Sequence, residues 1–203
     1  MTRNLRILLV CAIAAMVIAT AGVAGLLLMP ASAPQIARSL TGGIGGPFTL
    51  TASDGRTVTD QTYRGKWLLI YFGYTYCPDA CPTALNDMGV ALDRLGADAA
   101  SLQPVFITVD PKRDTADALA EYLKSFDPHI VALTGTEEQI AAVIKEYHVY
   151  AEVQPGGSKD YLVNHSNLFY LINPDGKFVN VVSGNASGDE LADRVRQLMK
   201  RSV

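Results

Sequence analysis

The segment "YFGYTYCPDACPTALNDM" (71–88) places Cys77 and Cys81 four residues apart, each followed by a proline. Residues at i and i+4 share one face of a helix. At that spacing the Cα atoms stand about 6 Å apart, inside the roughly 4.4–6.8 Å that a disulfide bridges. The two sulfurs can equally converge on one ion at about 2.3 Å each. Both lie near a helix start, where the backbone dipole favours thiolate over thiol, and a thiolate serves nucleophilic attack and metal binding alike. A structural disulfide, a redox couple and half of a metal site are all compatible with this spacing.

A third ligand would separate them. The histidines are His129, His148 and His165. His129 follows Asp127-Pro128 in a helix-to-strand loop and His148 sits at the end of an amphipathic helix, so both read as surface residues. His165, in "YLVNHSNLFYLI", immediately precedes an apolar strand that can lie beside the first one; it reads equally as a ligand and as an ordinary loop histidine. Two cysteines and one histidine make a soft, low-coordinate set of the kind that suits Cu(I). Structural zinc would call for a fourth protein ligand. The remaining cysteine, Cys11, lies in a greasy N-terminal stretch, so copper is the better metal.

The elements that must position these residues alternate along the chain. Two β-prone runs around Ser53-Asp54-Gly55 predict an N-terminal hairpin. "WLLIYF" (67–72) is a buried-type strand. Leu85, Met88, Leu92 and Leu95 recur at helical spacing after the cysteines, with Pro82 as a comfortable first helical residue and 77–81 as a turn leading in. "PVFITV" (104–109) predicts a second strand, 115–126 a helix stopped by Asp127-Pro128, and "IVAL" (130–133) a third strand. Thr136 and Gln139 form a capping box for a helix over 137–147. A hairpin over 167–172 and 177–182 and a last helix boxed by Ser187 and Glu190 complete the pattern. This order predicts a three-layer α/β domain of thioredoxin-like arrangement over 47–203, with the cysteines where the first core strand hands over to its helix.

Upstream, Ile7 to Met29 is a run of 23 residues without a charge, about the length that spans a bilayer core as a helix. Arg3 and Arg6 precede it, which leaves residues 1–6 in the cytoplasm and sends the rest across. Residues 30–46 read as a flexible tether. Ala31-Ser32-Ala33 resembles a signal-peptide cleavage site, but the apolar run exceeds the roughly 7–15 residues usual there. The expectation is therefore a single-pass anchor in a bacterial inner membrane with the domain in the periplasm. Beyond residue 33 acidic residues outnumber basic ones by five, and with no basic stripe nucleic acid is not an expected partner.

"GKWLLIYFGYTYCPDACPTAL", "ITVDPKRDT" and "YLVNHSNLFYLINPDGKFV" (65–85, 107–115 and 161–179) together resemble the three signature blocks of the Sco/SenC family, in order and at suitable spacing. The resemblance covers residues 46–200. It implies a membrane-tethered, thioredoxin-like copper protein that assists assembly of the CuA centre of cytochrome c oxidase. It also implies Cys77, Cys81 and His165 as ligands for copper, Cu(I) or Cu(II), with Cys77 and Cys81 as a redox-active pair. The implied partner is the CuA-bearing oxidase subunit or another copper chaperone. Asn164 stands where the family commonly has Asp, and Tyr76 where His is frequent. "DPKRDT" (110–115) reads as a loop with Asp114 or Thr115 capping the next helix.

Two functions from different classes follow. A metallochaperone would bind copper through all three residues and release it to a partner. A thiol–disulfide oxidoreductase would use the dithiol on an oxidase subunit, with His165 a bystander. A peroxide-reducing thiol enzyme fits poorly, because position 74, three residues before Cys77, is Tyr rather than Thr.

Overall fold

The computed structural model describes residues 43–154 and 161–201. The predicted anchor at 7–29 and the tether up to residue 42 lie outside the described residues. Among the described residues no helix is long and apolar enough to cross a membrane.

The core is organised on β3 (Trp67–Gly73), all seven residues of which are buried. A strand covered on both faces reads as a continuous apolar run, as this one does. β3 lies parallel to β4 (Leu102–Thr108), and β4 lies parallel to β5 (Val131–Thr134). On its other side β3 pairs antiparallel with β8 (Leu168–Ile172), which turns back into β9 (Phe178–Ser183). The N-terminal hairpin, β1 (Thr49–Ala52) and β2 (Thr57–Thr59), adds to β5, so the mixed sheet runs β2-β1-β5-β4-β3-β8-β9. Alternation along β3 sends neighbouring rings to opposite faces. Phe72 meets Tyr147 and Tyr170 on one face, while Tyr71 meets Phe169 on the other. Each such fully buried large side chain contributes about 1.5–3 kcal/mol of transfer free energy.

Helix α1 (Ala80–Leu95) buries Cys81, Ala84, Leu85, Met88, Ala91, Leu92 and Leu95. It starts two residues before the expected Pro82. The first intrahelical bond runs from Thr83 N–H to Asp79 C=O at 3.2 Å. Pro82 is thus the third helical residue, where an N–H has no partner within the helix in any case. Cys81 therefore sits in the first turn, and Cys77 in the loop before it. Helix α2 (Ala116–Leu123) is shorter than predicted; Lys124, Ser125 and Phe126 donate instead three residues back to Glu121, Tyr122 and Leu123. Helix α3 (Glu137–Glu146) carries the predicted Thr136–Gln139 capping box. Helix α4 (Gly188–Arg201) opens on reciprocal Ser187–Glu190 bonds and packs along α1. Gly188 permits that contact, since a Cβ there would fall 2.4 Å from Val90 Cβ.

One element was not expected. β6 (Ala151–Val153) and β7 (Val163–His165) form a separate two-stranded antiparallel ribbon. His165 ends β7, opposite Ala151, rather than lying in a plain loop before β8. Between the two strands, residues 155–160 lie outside the described residues.

Candidate metal centre

The two cysteines are free thiols of unequal exposure: Cys81 is fully buried and Cys77 half-buried. The turn that leads from β3 to α1 brings the Cys81 N–H to 3.4 Å from Cys77 Sγ. Beneath them the last residue of β3 must be small. A Cβ at Gly73 would lie 2.7 Å from Cys81 Sγ and 2.8 Å from the Phe106 ring. Phe106 is buried at the centre of β4 and has no room to retreat. Gly73→Ala is expected to cost about 1–3 kcal/mol through overpacking and to displace the Cys81 sulfur. A thermal melt and a metal-uptake titration on the same sample read both effects.

His165 reaches the sulfurs from the ribbon. Strand alternation points Val163 and His165 to one side and Asn164 to the other, where its side-chain oxygen accepts from Gln154 Nε2 at 2.7 Å. The neutral amide at the unusual position 164 thus faces away from the centre. His165 Nδ1 donates to the Ser166 carbonyl at 3.1 Å. That bond fixes the tautomer and leaves the Nε2 lone pair bare, 3.4 Å from Cys81 Sγ. The rings of Tyr71 and Tyr74 meet the imidazole in T-shaped contacts, centroids 6.1 and 5.8 Å away. Both tyrosines are anchored in turn: Tyr71 O–H donates to Asn167 Oδ1 at 2.8 Å, and Tyr74 Oη accepts the Val163 N–H at 3.2 Å.

The donor atoms of Cys77, Cys81 and His165 all lie within 4.8 Å of one another, and no other such group of three occurs among the described residues. The other histidines stay apart. His129 is exposed and bonded to Asp127, and His148 is exposed at the end of α3. The residues fit a soft ion: two sulfurs and one pre-oriented imidazole nitrogen suit copper, and the fourth ligand of structural zinc is missing from the group.

Electrostatics make the sulfurs unequal. The hydrogen bond from the Cys81 thiol pulls Cys77 down to about 4, against burial and with help from the Cys81 and Asp79 backbone. Sharing that proton with Cys77, together with burial, pushes Cys81 above the ordinary thiol range. Cys77 is the thiolate at neutral pH. Its alkylation by iodoacetamide is expected to be nearly flat from about pH 5 to 8, whereas that of an ordinary thiol, with pKa about 8.5, accelerates about tenfold per unit as pH rises over that interval. Peptide mapping should find Cys77 modified at pH 6 with Cys81 intact.

The 110–115 loop supports this arrangement from below. Thr115, not Asp114, caps α2, its Oγ1 accepting from Ala118 N–H at 3.2 Å. Asp114 is fully buried and accepts from Thr75 N–H at 3.1 Å, Thr75 Oγ1 at 2.6 Å and Thr108 Oγ1 at 2.6 Å. Burial pushes its carboxyl up against the pull of these donors. Asp114 thereby ties the end of β4 to the residue two positions before Cys77. Neither this role nor those of Gly73, Tyr71 and Tyr74 follows from helical or strand spacing, because each depends on which elements meet in space.

The fold is shared with known proteins. The structure of Bradyrhizobium japonicum ScoI with copper bound is 44% identical, superimposes with a TM-score of 0.71, and is matched over 77% of this chain and 99% of that one. Copper-bound ScoI of Arabidopsis thaliana is 41% identical with a TM-score of 0.74, over 78% of this chain and 99% of that one. The human mitochondrial SCO1 homolog is 42% identical over 160 residues, 77% of this chain but 53% of that protein. The chain spans about half the length of the curated relatives it matches. The sequence profile of the SCO1/SenC family matches residues 37–200. A thioredoxin-like mixed sheet, a Cys–Cys–His cluster beyond the end of its central strand β3 and a match over most of the length converge on one assignment: the chain belongs to the SCO1/SenC family.

Proposed function

We propose that this protein is a metallochaperone that binds one copper ion through Cys77, Cys81 and His165 and passes it to the CuA-bearing subunit of cytochrome c oxidase or to another copper chaperone. The observation that carries the reading is the convergence of three soft donors from two separate elements to within 4.8 Å. In the same reading residues 7–29 anchor the chain in a bacterial inner membrane, 30–46 form the tether, and the 47–203 domain works in the periplasm. Cys77 is ready as a thiolate, and binding releases the proton held by Cys81. Oxidation of the pair to a disulfide, with two electrons passing to an acceptor, removes both sulfur ligands and expels the ion. Its position against the compartment is set by reduction potential, about 30 mV corresponding to roughly 1.4 kcal/mol.

A second reading is favoured by the asymmetry of the pair. A half-exposed thiolate at Cys77 with a buried thiol at Cys81 suits a disulfide reductant. Cys77 would attack a partner disulfide, and Cys81 would then attack Cys77 in the mixed disulfide, releasing the partner as a dithiol. The test is to add Cu(I) and Cu(II) separately to the reduced protein. One copper per chain, with sulfur-to-metal charge transfer in the Cu(II) form, is the expected result; absence of uptake would leave the reductant reading alone.

A further inference from the structure

The centre is built from two parts that share no strand pairing: Cys77 and Cys81 follow β3 of the main sheet, and His165 ends a separate ribbon. Something must hold these parts in register. Arg113 lies between them. Its guanidinium carbon sits 3.7 Å from the centroid of the Tyr161 ring, on the approach to β7, and 4.5 Å from that of Tyr76, the residue before Cys77. Tyr74, which bonds the ribbon at Val163, is 5.7 Å away. Arg113 Nε donates to Asp110 Oδ2, and the other oxygen of the same carboxylate accepts from Tyr161 O–H at 2.6 Å. The Arg113 and Asp110 side chains are only 13% and 4% exposed.

We propose that Arg113 is a positioning residue that clamps the histidine-bearing ribbon over the cysteine loop and so sets how readily copper leaves. The proposal rests on the reading that Cys77, Cys81 and His165 hold the ion. A flat, permanently charged guanidinium can face two rings while its edge binds a carboxylate. Arg113 and Asp110 belong to the 110–115 loop, a third element that touches the cysteine side at Tyr76 and the ribbon side at Tyr161. Tyr76, at 57% exposure, gains through this stack a role in the clamp. Loosening it does not remove a donor; it lets Nε2 swing away, leaving a two-sulfur site from which the ion is captured faster.

The experiment follows transfer of Cu(I) from the full chain to a colorimetric Cu(I) chelator. Arg113→Gln is expected to accelerate transfer about 10–100-fold, the range by which supporting partners of metal-binding histidines affect affinity. Arg113→Lys, which keeps the charge but not the plane, should fall between it and the unmodified protein. In a His165→Ala background Arg113→Gln should add nothing, because no imidazole remains to be positioned. Equal acceleration in both backgrounds would reduce Arg113 to general structural support and overturn the proposal. A metal-free arm keeps the two readings distinguishable: Arg113→Gln should speed hydrogen exchange at the Val163 amide about tenfold or more while leaving the Phe169 amide of β8 unchanged. If the unmodified protein took up no copper, the proposed function would fall and this exchange result alone would decide the clamp; unaltered protection at Val163 would refute it.

Discussion

Replacing His165 by Ala is expected to weaken Cu(I) binding by roughly 10²–10³-fold while leaving the thiols reactive. The size follows from structural metal sites, where about 10–16 kcal/mol is spread over four ligands, roughly 2.5–4 kcal/mol for each, and each 1.4 kcal/mol is a factor of about ten. Competition against a chelator of known affinity measures the loss. The result also divides the two functional readings. His165 Nε2 lies 3.4 Å from the sulfur of Cys81, whereas the attacking sulfur is that of the half-exposed Cys77. Disulfide exchange through Cys77 should therefore survive with little change. Unaltered copper affinity in this variant would remove His165 from the ligand set, whatever the thiols do.

The second large effect concerns Asp114. Its carboxylate accepts three hydrogen bonds in a fully buried position. Asp114→Ala strands the Thr75 N–H and two threonine hydroxyls without an acceptor, at about 1–3 kcal/mol per unsatisfied buried group. Both hydroxyls can rotate toward other partners, so a net loss of about 3–5 kcal/mol is expected. At roughly 2–4 °C per kcal/mol for a chain of this size, the melting temperature should fall by about 6–20 °C. Asp114→Asn should cost far less, because its oxygen can still accept and its amide can donate to a reoriented Thr75 hydroxyl. The pH dependence has a definite sign. Burial raises the folded-state pKa of Asp114 above its ordinary value, so this group favours the folded state most at pH below its unfolded pKa. That contribution is lost as pH rises through the folded pKa. Asp114→Asn should lack that acid-side contribution, measurable as a flatter melting-temperature profile than that of the unmodified protein in mildly acidic buffer.

What could be read in the chain beforehand was whatever repeats with a short period or caps an end. The apolar run at 67–72, the stripe from Leu85 to Leu95 and the boxes at Thr136 and Ser187 all appear where the residue types demand. Boundaries shifted where proline was given too much weight. Pro82 suggests a helix start, but the third helical position tolerates it equally, and Pro104 suggests a strand beginning, but the ladder runs back to Leu102 opposite Trp67. The ribbon was missed because three-residue strands carry too little alternation to stand out from a loop. In the centre, His165 needed the resemblance between signature blocks, since nothing local distinguishes it from a loop histidine. Of the two capping candidates, Asp114 and Thr115, the threonine caps the helix, and only the meeting of Thr75 and Thr108 around Asp114 reveals its other purpose. Gly73 is silent in any pattern; its smallness matters only because a sulfur from another element comes to rest above it.

The bond from the His165 ring to the carbonyl of Ser166 has an evolutionary corollary. Many protein imidazoles are oriented by a carboxylate that one codon change can delete. Here the orienting atom belongs to the main chain, which every amino acid supplies, proline included. The ring nitrogen left free of a proton is thus shielded from side-chain substitution at position 166, and only a change that re-routes the peptide itself would reverse it.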